Sequence, residues 1–372
     1  MKVLSLGIGT QLFETGNPTR DRIIEYGKLA DELHIIVYTQ FGYQVTEKIK
    51  LGKNVWVYPT KSKNKPRYFI DAYKLAKEIF KKNPGRYIIT SQEGMTHFVA
   101  LVLSIRYKLG FEMQIHTDIF SRYFRKESIT NKLRLLGYWL CRNRASSTRV
   151  VSKRIAKGLI EKWHVPGKKI TILPILVNKE YWQNAQVKTD LHKEYPQFDQ
   201  IILMPSRLTR EKNFPLALQA FSIVRKRLPK TGLIVVGVGY LENIIKGDNV
   251  VLLPWSNDLA SLYKTADLFL LTSNYEGFGL TLVEASICAT PIVTTDVGAV
   301  GDLITPHNAL IAPVGDAKKI AEHIIFILGN ESVRSIMKSR LPKVADMLPD
   351  REVYLKLLKL SWEKCLKQTT IK

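Results

Sequence analysis

Cysteine is scarce. Cys141, Cys288 and Cys365 are the three in 372 residues, far apart and odd in number. This excludes a disulfide framework and any paired-cysteine metal spacing, and the expected setting is a reducing cytoplasm. Long apolar runs are also lacking. No segment reaches the roughly 20 residues that cross a bilayer. The opening M-K-V-L-S-L-G-I-G-T has a short strand and then glycines, where a secretory leader would need a longer apolar core. The expectation is therefore a cytoplasmic chain with neither leader nor span. Acidic residues are thin in one half only. Residues 1–180 carry 33 Lys and Arg against 14 Asp and Glu, while residues 181–372 carry 23 against 19. The net charge of +23 is thus a property of the first half, and such a surface attracts nucleic acid, anionic lipid or a polyanionic substrate.

What is present is a rhythm that runs twice. The length suits two domains of roughly 180 residues each. In the first half K-V-L-S-L-G-I, L-H-I-I-V-Y, V-W-V-Y, Y-I-I-T and M-Q-I-H alternate with helical patterns near residues 18–30, 68–82 and 96–108. The second half restarts with I-I-L-M-P-S, L-I-V-V-G-V-G, N-V-V-L-L, A-D-L-F-L-L, P-I-V-T-T-D and L-I-A-P. Strands separated by helices build parallel sheets covered on both faces. The expected fold class is α/β, two Rossmann-like domains over residues 1–180 and 181–350, with a C-terminal helix over 351–372. Residues 178–200 are polar, contain Pro196 and show no clean period, so the linker is placed there. Ligands of such sheets bind at the carboxyl ends of the strands, and two facing domains make a cleft.

The residues after the strands carry the chemistry. Arg207 and Lys212 follow I-I-L-M-P-S, and Asn213 can cap a helix whose first turn tolerates Pro215. Two cations beside free helical amides favour an anion, phosphate above all; the alternative is a solvated basic loop. After A-D-L-F-L-L-T-S comes N-Y-E-G-F-G-L-T-L-V-E-A, where Gly277 and Gly279 permit close backbone approach. Glu276 lies in that loop and Glu284 falls inside an otherwise apolar helix. A carboxylate there needs a partner. That partner is either a buried cation or a polar ligand such as a vicinal diol, while Glu276 could equally be a surface acid beside a turn.

E-G-F-G-L-T-L-V-E-A resembles the E-x7-E signature of retaining GT-B glycosyltransferases of family four. S-R-L-T-R-E-K-N-F-P-L-A-L-Q-A-F is similar to that family's donor-phosphate segment, and A-T-P-I-V-T-T-D-V-G-A-V-G-D-L-I to the stretch after the signature. The resemblance implies a C-terminal donor domain, an N-terminal acceptor domain, and a last helix packing back toward the latter. It also implies a nucleotide diphosphate sugar of UDP or GDP type as donor, with no cofactor. Arg207 and Lys212 would hold the diphosphate, Glu284 the ribose hydroxyls, and Glu276 with the amides of Gly277, Phe278, Gly279 and Leu280 the donor sugar. His116, at the end of M-Q-I-H, matches a His that relatives place near the reacting sugar. The family's glycine pair after the first strand is replaced by E-T-G-N-P-T-R, leaving Gly16 and Arg20 in the acceptor-side loop. Ala289 and Ala299 stand where relatives commonly have Gly. No Asp-x-Asp occurs in the chain, so no metal is expected, and cations with helix amino ends would supply the electrostatics.

Cations interleave with aromatics in K-S-K-N-K-P-R, residues 61–67, and across residues 120–144. This pattern suits a lipid headgroup boundary, with Arg122, Arg125, Lys126, Lys132 and Arg134 as expected contacts on an anionic membrane. The reading is a peripheral enzyme on the inner face of a membrane, acting on a lipid-linked glycan or glycolipid in glycan or polysaccharide biosynthesis. Two other readings stand beside it. Nucleic-acid binding rests on charge alone and lacks a motif. A nicotinamide oxidoreductase rests on Gly237 and Gly239, a G-x-G without its third glycine.

Overall fold

The computed structural model describes residues 1–42, 47–92 and 94–368, with side chains to Leu366. Residues 369–372 of the expected last helix lie outside them. Fourteen strands among these residues form two sheets. The first holds β1 (Lys2–Gly7), β2 (Glu32–Val37), β3 (Ile49–Leu51), β4 (Val55–Pro59), β5 (Tyr87–Ser91), β6 (Gly110–Ile115), β7 (Ser147–Val150) and β8 (Ile170–Ile172), in the order β3-β4-β2-β1-β5-β6-β7-β8. The second holds β9 (Gln200–Pro205), β10 (Thr231–Val236), β11 (Val250–Leu253), β12 (Leu268–Leu271), β13 (Ile292–Thr295) and β14 (Leu310–Ala312), in the order β11-β10-β9-β12-β13-β14. Every pairing is parallel except β3 with β4. Central strands such as Leu268–Leu271 and Tyr87–Ser91 are buried at every residue, as two-sided coverage of a parallel sheet demands.

The linker differs from expectation. Two short helices, Lys179–Asn184 and Leu191–Glu194, occupy it, capped by Asn178 and Asp190. Neither is long enough to show a helical period. Both are held on the second domain, where the Lys188 amide donates to Ser261 Oγ (2.8 Å) and the Leu191 amide to Thr265 Oγ1 (3.2 Å).

The helix Arg351–Gln368 returns to the first sheet. Leu358, Trp362 and Cys365 join a core cluster with Val3, Val37 and Ile88. Gly110 permits the contact, since a Cβ there would lie 2.2 Å from the Cys365 carbonyl oxygen. Ser361 donates to the fully buried Glu112.

Ala289 has φ +61 in the turn between the helix Leu280–Ile287 and β13. That left-handed conformation costs an L-residue about 1–2 kcal/mol, partly offset by the greater unfolded-state entropy of glycine. Ala289→Gly should therefore raise the melting temperature by about 1–3 °C. A lower melting temperature would show that the Ala289 methyl contributes packing that outweighs the strain.

Candidate active site

Because β12 lies between β9 and β13, the loops after these strands converge. Lys212 sits in the turn Arg210–Lys212 after β9, and its carbonyl accepts from Thr272 Oγ1 (2.9 Å). The Asn274 amide donates to the Glu211 carbonyl (2.7 Å), and Asn213 Nδ2 to Asn274 Oδ1 (2.9 Å). Asn213 takes φ +52 as the cap of Phe214–Arg227, a conformation Asn tolerates. So clamped, Lys212 Nζ reaches Glu276 Oε1 at 2.5 Å, and Ser273 Oγ donates to the same oxygen at 2.8 Å. Lys212 is 8% exposed. Arg207 differs, its side chain 75% exposed and 3.3 Å from Glu211. The structure thus joins Lys212 to Glu276 and leaves Arg207 at the rim.

Glu276 leads through Gly277, Phe278 and Gly279 into the helix Leu280–Ile287. Gly279, at φ +80, caps that helix without a side-chain hydrogen bond, so no side chain of the cap residue occupies its first amides. Phe278 is buried, and its carbonyl accepts from the Ala299 amide (2.8 Å). Leu280 is partly exposed at the amino end. Glu284 is 7% exposed, and among the described residues no ion pair reaches it. Its Oε2 accepts from the Tyr263 hydroxyl at 3.2 Å. Burial pushes its carboxyl up to about 7 against that bond. The buried-cation alternative therefore finds no cation.

The opposing domain meets this loop at His116. A Cβ on Gly277 would lie 1.8 Å from the His116 carbonyl oxygen, so glycine is required by the contact between the halves. Tyr275 adds a hydrogen bond to Glu127 Oε2 (2.7 Å), and Arg154 pairs with Asp296. The His116 ring is half-buried, 3.0 Å from Gln114 Oε1 through Nε2. Gln114 Nε2 donates to Thr90 Oγ1 and to Glu112 Oε2, which turns its carbonyl toward the imidazole. His116 accordingly carries its proton on Nε2 and presents Nδ1 as an acceptor. Burial, then the charges of Arg149 and Arg22, pull it down to about 3, so the ring is neutral at pH 7.

The acceptor-side loop is read less well by sequence. Gly16 is exposed at φ +81 with nothing among the described residues within 4 Å of a notional Cβ, and Arg20 bonds back to Thr15 Oγ1 (3.2 Å). The arginines at the cavity beside His116 are instead Arg22 and Arg149. Neither stands in a motif; for Arg149 the alternation of polar residues in S-T-R-V was the available signal, and Arg22 had none. The glycines of G-x-G have a local explanation. A Cβ on Gly237 would lie 1.9 Å from the Ser206 carbonyl oxygen, so they let the end of β10 crowd the loop after β9.

The expected membrane residues separate. Arg122, Arg125, Lys126 and Lys132 are exposed. Arg134 is half-buried, bonded to Asn131 Oδ1 (3.2 Å) and set over the Phe124 ring at 5.3 Å. Beside the exposed four, Ile129, Leu133, Leu136 and Leu140 put an apolar stripe in solvent along the helix Ile129–Cys141. No helix among the described residues is long and apolar enough to cross a membrane.

Comparison with known proteins locates this architecture. Residues 188–344 match the family described as glycosyl transferases group 1. The capsular polysaccharide biosynthesis glycosyltransferase CapM of Staphylococcus aureus is 30% identical over 138 residues, 34% of this chain and 36% of that one. The UDP-Gal:alpha-D-GlcNAc-diphosphoundecaprenol alpha-1,3-galactosyltransferase of Escherichia coli is 25% identical over 202 residues, 50% of this chain and 52% of its own length. The chain thus spans about a third to a half of these curated relatives. Over its full length it superposes on Anabaena HepE, solved in complex with UDP-glucose, with a TM-score of 0.71 at 16% identity and 100% coverage of each chain. The second domain, over residues 188–344, matches the glycosyl transferases group 1 in sequence, both sheets match in fold, and the chain has the GT-B fold.

Proposed function

We propose that the chain is a retaining hexosyltransferase. It moves a sugar from a UDP- or GDP-type nucleotide sugar to an acceptor hydroxyl, on a lipid-linked glycan or glycolipid at an anionic membrane surface. The observation that carries this reading is the Lys212–Glu276 pair beneath uncapped helical amides, facing His116 across the cleft. An incoming diphosphate is a multiply charged acceptor for Lys212 and displaces Glu276. The released carboxylate then accepts from hydroxyls of the donor sugar. Arg207 swings from Glu211 to the distal phosphate, and Glu284 accepts from the ribose. As the glycosidic bond to the diphosphate breaks, charge grows on the leaving oxygen, where Lys212 and the helix amino end stabilise it. In a front-face transfer the same oxygen takes the acceptor proton, while neutral His116 orients a hydroxyl through Nδ1.

A panel of UDP, GDP and ADP sugars in excess EDTA tests this. One should raise the melting temperature and be turned over with metal removed. Loss of turnover on chelation, restored by manganese, would overturn the cation-based account.

The membrane reading is supported by the exposed stripe Ile129, Leu133, Leu136 and Leu140 beside four cations, and the galactosyltransferase relative has a diphosphoundecaprenol acceptor in its name. Each basic residue near an anionic surface contributes about 1 kcal/mol. Neutralising Arg122, Arg125, Lys126 and Lys132 together, with Arg134 retained for its bonds to Asn131 and Phe124, should abolish flotation with anionic liposomes and leave nucleotide binding intact. Unchanged flotation at physiological salt would remove this face from the account.

A further inference from the structure

A cavity of about 570 Å³ opens at the carboxyl ends of β1, β5, β6 and β7. His116 lines it, and the His116 backbone is where Gly277 makes its contact, so the cavity adjoins the loop assigned to the donor sugar. Its volume lies in the range of roughly 300–1,000 Å³ usual for small-molecule sites. Among the described residues the lining contains two guanidinium groups, Arg22 and Arg149, and no carboxylate. Most remaining polar groups are neutral, among them Gln11, Asn17, Thr19 and Gln92.

We infer that this cavity receives an acceptor carrying an oxyanion, phosphate or carboxylate, close to the hydroxyl that is glycosylated, with Arg149 and Arg22 as its partners. The inference rests on the glycosyltransferase reading and specifies its acceptor.

Arg149 is the decisive residue. It is 7% exposed, and its Nε has no hydrogen-bond partner among the described residues. The nearby Glu112 Oε2 is 3.6 Å away, and its oxygens already accept from Thr90 Oγ1, Gln114 Nε2 and Ser361 Oγ. Glu112 does not line the cavity. A buried pair serving only the core would bring its donors into bonding distance, because an unpaired N–H on a charged group is costly. Arg149 keeps its charge: burial opposes it, and the Glu112 carboxylate, together with Tyr354, which also hydrogen-bonds the Arg149 side chain, and Tyr26, outweighs burial and raises its pKa. Arg22, on the helix Pro18–Gly27, adds a second cation that is exposed and has no ion pair among the described residues. A purely neutral sugar would leave both guanidinium groups facing an uncharged ligand. An oxyanion satisfies them in charge and in donor geometry.

The test uses the full chain saturated with UDP, which occupies the other anion site. Binding of glucose, glucuronate, glucose 1-phosphate and farnesyl phosphate is then measured by saturation-transfer NMR and calorimetry. The anionic probes should bind at least about tenfold more tightly than glucose, and Arg22→Ala should remove about tenfold of that preference, the effect of one charge-assisted bond. A preference for farnesyl phosphate over glucose 1-phosphate assigns the charge to a lipid carrier; the reverse assigns it to a soluble acceptor. Arg149→Met paired with Glu112→Gln removes both buried partners and should abolish the preference; where that double variant fails to fold, Arg22→Ala decides. Equal binding of glucose and glucuronate, or anion affinities unmoved by Arg22→Ala in a folded protein, overturns the inference. Should UDP itself fail to bind, the donor reading fails separately, and the same titration on Lys212→Met still decides the cavity.

Discussion

Replacing Lys212 with Met should lower turnover roughly a hundred- to a thousandfold, the usual cost of losing one preorganised electrostatic donor, with the protein still folded. Lys212 is the buried cation of the loop after β9, placed by Thr272 and held 2.5 Å from Glu276. Methionine retains the length of the stem and removes the charge. The carboxylate it leaves behind is 13% exposed and keeps its bond from Ser273 Oγ, which offsets part of the cost to the fold. Arg207→Ala should cost less, because Arg207 is 75% exposed and tied to Glu211 and must reorganise to reach a ligand. Single-turnover rates with a saturating donor check the order. Equal losses at both positions, or none at Lys212, would contradict the placement of the leaving group.

The second large effect belongs to Glu284, and its direction differs between affinity and stability. Unfolded, such a carboxyl titrates near 4.5, whereas in the fold burial raises it to about 7. The folded state therefore holds the proton more tightly. Stability from this group is complete below pH 4.5 and is lost as pH rises through 7, by up to about 3 kcal/mol. Glu284→Gln does not titrate and should match the wild type at pH 4 and exceed it in melting temperature at pH 8. Nucleotide affinity should fall by about 10- to 100-fold, since hydrogen bonds to a charged acceptor contribute roughly 1.5–3 kcal/mol. A lower melting temperature for the variant at pH 8, with nucleotide affinity intact, would mean that Glu284 is a structural partner of Tyr263 instead.

The strands and long helices were legible because continuous Val, Ile and Leu runs and capped helical periods are local signals, as Leu268–Leu271 and Asn213 illustrate. The loops after β9 and β12 were legible for the same reason: Lys212, Glu276 and Glu284 sit in one ordered series of motifs. What sequence could not supply was set by contacts between distant segments. Arg149 acquires its setting from Glu112 on the neighbouring strand and from Ser361 on the last helix, more than two hundred residues away. Arg22 rather than Arg20 lines the cavity because of where the helix Pro18–Gly27 begins. Arg134 is drawn from the basic surface by Asn131 and Phe124. Ala289 stood out as a departure from relatives, and the backbone explains the preference for glycine there.

The return of the helix Arg351–Gln368 to the first sheet has a consequence for synthesis. The first eight strands leave the ribosome well before the helix that covers one face of their sheet, and at about 5–20 residues per second that delay spans roughly ten seconds or more. Throughout it Glu112 lacks Ser361, and Val3, Val37 and Ile88 lack Leu358 and Trp362. The second sheet, whose strands end at Ala312, can close first. The earliest part of the chain to be made is thus among the last to be finished.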